Sequence, residues 1–182
     1  YFKSKKNIKV EVIGNWGLCC NAVHFIEIFH KLISRKKIRI QNCDFNNKLI
    51  KSKRSQYYEL YGKIEIISEK SDLLSMVCSP DLNEGIIEIL VTSSNANLEC
   101  RWENENIKYK FYESGNLIVS KDHPVRRQSE RTLELIEDLI KKNECNLPTY
   151  KIAKDHHLLI INEFKEKFIE LGLNIDEEVP VT

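Results

Sequence analysis

The stretch NIKVEVIGNWGLCCNAVHFIEIFHKLIS, residues 7–34, decides the fold class. In its first part Ile8, Val10 and Val12 alternate with Lys9 and Glu11, the period-two pattern of a half-buried strand. Gly14 and Asn15 end that strand. From Gly17 to about Ser34 no breaker occurs, and apolar residues occupy most of the helical circumference. Such a pattern describes a helix packed into a core rather than lying on a surface, so its few polar residues call for explanation.

Working outward, Ile38 and Ile40 begin a second strand. Residues 57–67, rich in aromatic and β-branched side chains, read as a third. Further strands are expected at 72–78, 85–93, 96–103, 106–112 and 116–121, separated by the turn-forming segments SPDLNEG, SSNAN, ENEN and ESG. Connections this short make most neighbours antiparallel hairpins, ENEN being the clearest. The period then changes. Residues 126–143 place Leu133, Ile136, Leu139 and Ile140 on one helical face, with Ser129 available as a cap. A second helix is expected from about Thr149 to Leu171, ending at Gly172. The whole reads as one α+β domain: a large, mainly antiparallel (mixed) open sheet with helices packed on one face.

The chain has 182 residues, 42% of them hydrophobic, which suits one well-buried core. Lys+Arg 28 and Asp+Glu 27 nearly cancel to +1, leaving no excess of one sign for phosphate backbones or anionic lipid. Lysines bunch at 3–6, 35–37 and 48–54 beside expected turns, where solvation explains them. Neither a nucleic-acid nor a membrane partner is therefore expected. No two of the six cysteines have the two-residue spacing that brings thiolates onto one zinc, and most sit in apolar runs as small hydrophobes. That usage fits a reducing, cytoplasmic setting. Met76 is the single methionine, so Tyr1 is not a translation start and further sequence is expected upstream.

On the helix of residues 17–34, Asn21, His24 and Lys31 fall within roughly 80° of one another, with Glu27 on the flank. A histidine there can act as a general acid or base, because its ordinary pKa lies near neutrality, and an amide and a lysine beside it can orient a hydroxylated substrate. The alternative is a core histidine bonded to a backbone carbonyl, and spacing alone favours that alternative. His156 and His157 are adjacent, point to different sides of a helix and cannot share a metal. His30 reads as a helix-surface residue and His123 as an exposed loop residue, and no metal site is expected. There is no glycine-rich phosphate loop: Gly14 and Gly17 lack a third glycine.

Two motifs add a resemblance. GNWGLCCNAVHFIEIF, residues 14–29, is similar to the helix of the glucose–fructose oxidoreductase and inositol dehydrogenase family, in which small residues precede a polar residue, a histidine, an apolar pair and an acidic residue. QSERTLELIEDLIKKNECNLPTY, residues 128–150, resembles a helix and C-x-L-P-T-Y turn seen in members of the group. SKRSQYYELYGKIEI, residues 52–66, and the closing VPVT fit the same order. The resemblance implies the substrate-side, C-terminal domain of such an enzyme, with the dinucleotide-binding Rossmann domain and its Glu-Lys-Pro lysine absent from this chain. It implies hydride transfer between NAD or NADP and a carbinol carbon of a sugar, sugar derivative or cyclitol. His24 then matches the catalytic histidine and Glu27 the acidic residue after it. Asn21, Glu27, Lys31 and Arg54 are the candidate substrate-binding residues, with Tyr1 and Lys53 further possibilities. It also implies a homo-oligomer formed through the open face of the sheet. Cys20 stands where the family has an aspartate four residues before the histidine. That departure leaves open a non-catalytic binding or dimerisation module of the same fold.

Overall fold

The computed structural model describes residues 2, 7–34, 36–52, 54–126, 128–143, 145, 147–175 and 179–181. β1 (Lys9–Gly14) lies inside an eight-stranded sheet. From it, α1 (Leu18–Leu32) leads to β2 (Ile38–Phe45) at one edge. After a separate two-stranded ribbon of β3 (Ile50–Lys51) and β4 (Tyr58–Glu59), the chain returns inward through β5 (Gly62–Ser68) and β6 (Leu73–Cys78). β6 joins β1 in parallel, Lys9 opposite Leu73 and Gly14 opposite Cys78. β7 (Ile86–Thr92), β8 (Ala96–Glu103), β9 (Asn106–Glu113) and β10 (Asn116–Pro124) extend the sheet from the other side of β1 as an antiparallel meander. α2 (Gln128–Lys142) and α3 (Tyr150–Glu170) follow. The α+β class and the large, mixed, mainly antiparallel open sheet are as the sequence indicated.

Alternation decides which face is covered. Val10 and Val12 on β1, Ile64 and Ile66 on β5, and Leu74 and Met76 on β6 are all buried, whereas Lys9, Glu11 and Ile13 face away and are exposed. Leu18, Ala22, Ile26 and Phe29 of α1 and Ile160, Phe164 and Phe168 of α3 join that buried cluster. Each large side chain so buried contributes about 1.5–3 kcal/mol, which holds α1 and α3 on one face of the sheet.

Four local expectations are corrected. Residues 57–67 are not one strand: Tyr58–Glu59 pairs with Ile50–Lys51, and the main sheet is entered only at Gly62. Ser129 is the second residue of α2 rather than its cap. The apolar face of α2 is correctly spaced but uncovered, with Leu133 60% and Ile140 76% exposed, because helical spacing reports amphipathicity and not the identity of the covering surface. His123 is exposed as expected, but it lies in β10 and stacks on Tyr109 rather than sitting in a loop.

Candidate functional site

α1 starts without a side-chain cap of its own, Gly17 occupying the capping position at φ 75. The first N–H groups of a helix need partners, and here other elements supply them. The Cys19 N–H donates to Oε2 of Glu59 at 2.9 Å. The N–H groups of Trp16 and Gly17 point at Sγ of Cys78, at 3.4 and 3.3 Å. A side chain at Gly17 would press on the Glu59 carboxyl, 3.0 Å from where its Cβ would stand. Burial pushes the Glu59 carboxyl up to about 7, outweighing the backbone N–H bonds from Cys19 and Cys20 that favour its charge.

Because Glu59 holds its proton more tightly folded than unfolded, its contribution to stability is fully present below pH 4.5 and is lost as the pH rises to about 7. The melting temperature of Glu59→Gln minus that of the native chain should therefore grow between pH 5 and 8. A difference that stays flat over that range would show that Glu59 keeps an ordinary pKa.

The same arrangement bears on a dinucleotide. A helix N-terminus following a strand is where a pyrophosphate would be held. In α1 that position already carries the Glu59 carboxyl group, whose oxygens would repel phosphate when ionised. Gly17 has no room beside it. The described residues at this strand–helix junction do not fit a dinucleotide.

His24, in the second turn of α1, is exposed, between half-buried Val23 and buried Phe25. Among the described residues no hydrogen bond or ion pair reaches its ring. The other candidates are engaged elsewhere. The Asn21 amide turns back to donate to the carbonyls of Trp16 and Gly17. Lys31 pairs with Glu27 at 3.7 Å, and Oε2 of Glu27 lies 3.2 Å from Nδ1 of His156 on α3. Arg54 is exposed in the turn between β3 and β4. Tyr1 and Lys53 lie outside the described residues. Of the polar stripe, then, only His24 has no hydrogen bond or ion pair among the described residues; Glu27 is drawn toward α3 and Lys31 pairs with Glu27.

A second group, not foreseen, forms where α1 meets α3. His156 is buried, 3% exposed. Its Nε2 lies 3.1 Å from Nδ1 of His30, and the two rings stand edge to face at 90°. His30 is half-buried here and not a surface residue. His157 does point the other way, as its adjacency required, and is exposed with Nδ1 2.8 Å from the Ala153 carbonyl oxygen. The signal for His156 was its four-residue spacing to Ile160, Phe164 and Phe168, which puts it on the apolar stripe of α3.

A concavity of about 840 Å³ lies on the open face of the sheet among residues including Glu11, Glu88, Arg101, Lys108 and Asp122. It is on the face opposite α1 and so does not adjoin His24. The six cysteines form no disulfide; Cys19 and Cys78 are buried. Among the described residues no helix is long and apolar enough to cross a membrane.

No family model and no curated protein matches the chain by sequence. Solved structures do match. A dehydrogenase from Clostridium difficile aligns at TM-score 0.54 and 14% identity over 89% of this chain and 56% of its own. A protein assigned as an oxidoreductase from Erwinia carotovora atroseptica aligns at TM-score 0.56 and 13% identity, over 87% and 55%. One assigned as an NADPH-dependent oxidoreductase from Desulfitobacterium hafniense aligns at 0.55 and 12%, over 91% and 55%. The chain spans little more than half the length of each, and at such identity the likeness concerns the fold. The fold is therefore what is shared: the chain has the fold of a little over half of this dehydrogenase and of these two oxidoreductases.

Proposed function

We propose that this chain is the substrate-side domain of an NAD(P)-dependent oxidoreductase acting on a sugar, sugar derivative or cyclitol, and that His24 is its proton-transfer group. The observation that carries the reading is the exposure of His24, without a hydrogen-bond or ion-pair partner among the described residues, on a helix whose opposite face, with Leu18, Ala22, Ile26 and Phe29, is buried in the core. The shared fold with part of several dehydrogenases supports it. A nicotinamide cofactor, which the α1 junction does not cradle, would supply the hydride chemistry from a part of the protein beyond the described residues.

This chain's own share is the proton. In the oxidising direction the substrate O–H bond breaks as the carbonyl forms, and neutral His24 accepts that proton; in the reducing direction imidazolium donates it. Asn21, with its amide tied to two carbonyls, positions the first turn of α1 rather than meeting the substrate.

The test uses the full-length protein in sugar-dependent reduction of NAD or NADP. His24→Ala should lower kcat by about 10²–10⁴, and a kcat within twofold of the native value would remove His24 from the mechanism. Cys20, in place of an aspartate, favours a second reading in which the domain binds without catalysis. Sugar binding by the native full-length protein with no turnover in either direction would support that reading instead.

A further inference from the structure

We propose that Glu27, His30 and His156 form a site for a divalent transition metal, with zinc as its occupant, that clasps α3 onto α1. The site does not involve His24 and does not rest on the reaction proposed above. Glu27 and His30 are three residues apart, so one face of α1 presents a carboxylate and an imidazole side by side. α3 brings the third group from 126 residues further along the chain, His156 standing at the head of its buried stripe. One ligand atom from each residue lies within 4.8 Å of the others.

Charge, geometry and donor type agree. Two ring nitrogens facing each other at 3.1 Å cannot both present lone pairs unless a proton or a cation lies between them. A proton satisfies one such contact, whereas a metal ion accepts both lone pairs. Tetrahedral zinc with nitrogen and oxygen ligands at about 2.0–2.1 Å sets those ligands roughly 3.3 Å apart, close to the separation the two imidazoles already have. To join them Glu27 must turn its carboxylate away from Nδ1 of His156, which lies 3.2 Å from Oε2 and is the ring nitrogen that does not face His30, and its charge offsets half that of the dication. Lys31, 3.7 Å from Oε1 of Glu27, is the cation this rotation must displace. Two histidines and a glutamate are an established three-ligand set for zinc, with water completing the shell. No cysteine belongs to the cluster, so the ligand set is nitrogen and oxygen only.

The experiment uses the 182-residue chain, freed of metal with a chelator, kept reduced with a phosphine and shown to be folded by circular dichroism. Zn²⁺ is titrated calorimetrically and Co²⁺ is followed by absorption. One equivalent of zinc should bind with Kd of about 1 µM or below. Cobalt should give visible d–d bands without the near-ultraviolet charge-transfer band of a thiolate. Zinc should raise the melting temperature saturably. His30→Ala and Glu27→Gln should each weaken binding at least about tenfold, while His157→Ala and His24→Ala leave it unchanged. His156 is buried and its removal can unfold the chain, so the half-buried His30 carries the test, with His156→Gln as the conservative second variant. Failure of the folded native chain to bind zinc would overturn the proposal. So would binding that survives His30→Ala and Glu27→Gln, or a thiolate band showing that cysteines take the ion. None of these results would bear on His24 as a proton-transfer group.

Discussion

Asp72→Ala is expected to lower the unfolding free energy by about 3–4 kcal/mol, read as a lower urea midpoint with an unchanged slope. Asp72 is wholly buried, just before β6, and one carboxylate ties three segments together. Oδ1 accepts the Ile8 N–H at 3.0 Å, fixing the entrance to β1. Oδ2 accepts the Ser68 hydroxyl at 2.9 Å and Lys36 Nζ at 2.8 Å, fixing the end of β5 and the lead into β2. Burial pushes its carboxyl up, but Lys36, the Ile8 N–H and Ser68 together hold it below the usual carboxylate range. Alanine would leave a buried N–H without its acceptor and an ammonium, only 20% exposed, without its counter-ion. Asp72→Asn keeps an acceptor for Ile8 but turns neutral, and should cost less. Because the folded pKa is depressed, the charged-state contribution is present above pH 3.8 and is lost as the pH falls through the folded value. The gap between native and Asp72→Asn should therefore close in acid. A gap of the same size at pH 3 and pH 7 would refute the ionic account.

Alternation and helical spacing carried the architecture because they record burial directly. Val10 and Val12 are buried and Glu11 is not, and Leu18, Ala22, Ile26 and Phe29 put one face of α1 in the core, while Val23 is only half-buried and Ile28 is exposed on the other. What the chain did not disclose depends on contacts between distant residues. Residues 57–67 are rich in aromatic and β-branched side chains from end to end, and nothing local shows that Gly62 must fit against Asp44 and Phe45. The apolar face of α2 was legible, its covering was not. His156 could be placed on the inner face of α3 from spacing, but that it meets His30 and Glu27 follows only from how α3 crosses α1. For the candidate site, spacing grouped Asn21, His24, Glu27 and Lys31 on one side of the helix. Packing then split the group, turning Glu27 toward His156 of α3, with Lys31 paired to Glu27, and leaving His24 outward.

Gly62→Ala should be the most damaging single methyl in the chain, costing about 3–5 kcal/mol. A Cβ at that position would stand 2.2 Å from the carbonyl oxygen of Asp44 and 2.8 Å from Cα of Phe45, both backbone atoms of β2, and φ is +140. No rotamer relieves a collision between backbones, so the paired ends of β2 and β5, where Phe45 faces Gly62, must separate. The damage reaches the candidate site through the three residues before the glycine. Glu59 holds the first turn of α1, Leu60 is fully buried, and the Tyr61 hydroxyl donates to Oδ1 of Asn15 at 3.1 Å. The turn that launches the His24 helix should therefore loosen with the sheet edge. Gly115→Ala is the control: it shares a positive φ, +82, but its Cβ would meet nothing within 4 Å, so it carries only the backbone penalty of about 1 kcal/mol. Thermal melts of the two variants separate steric from conformational cost, and a Gly62→Ala chain as stable as Gly115→Ala would mean that β2 and β5 do not approach as closely as described.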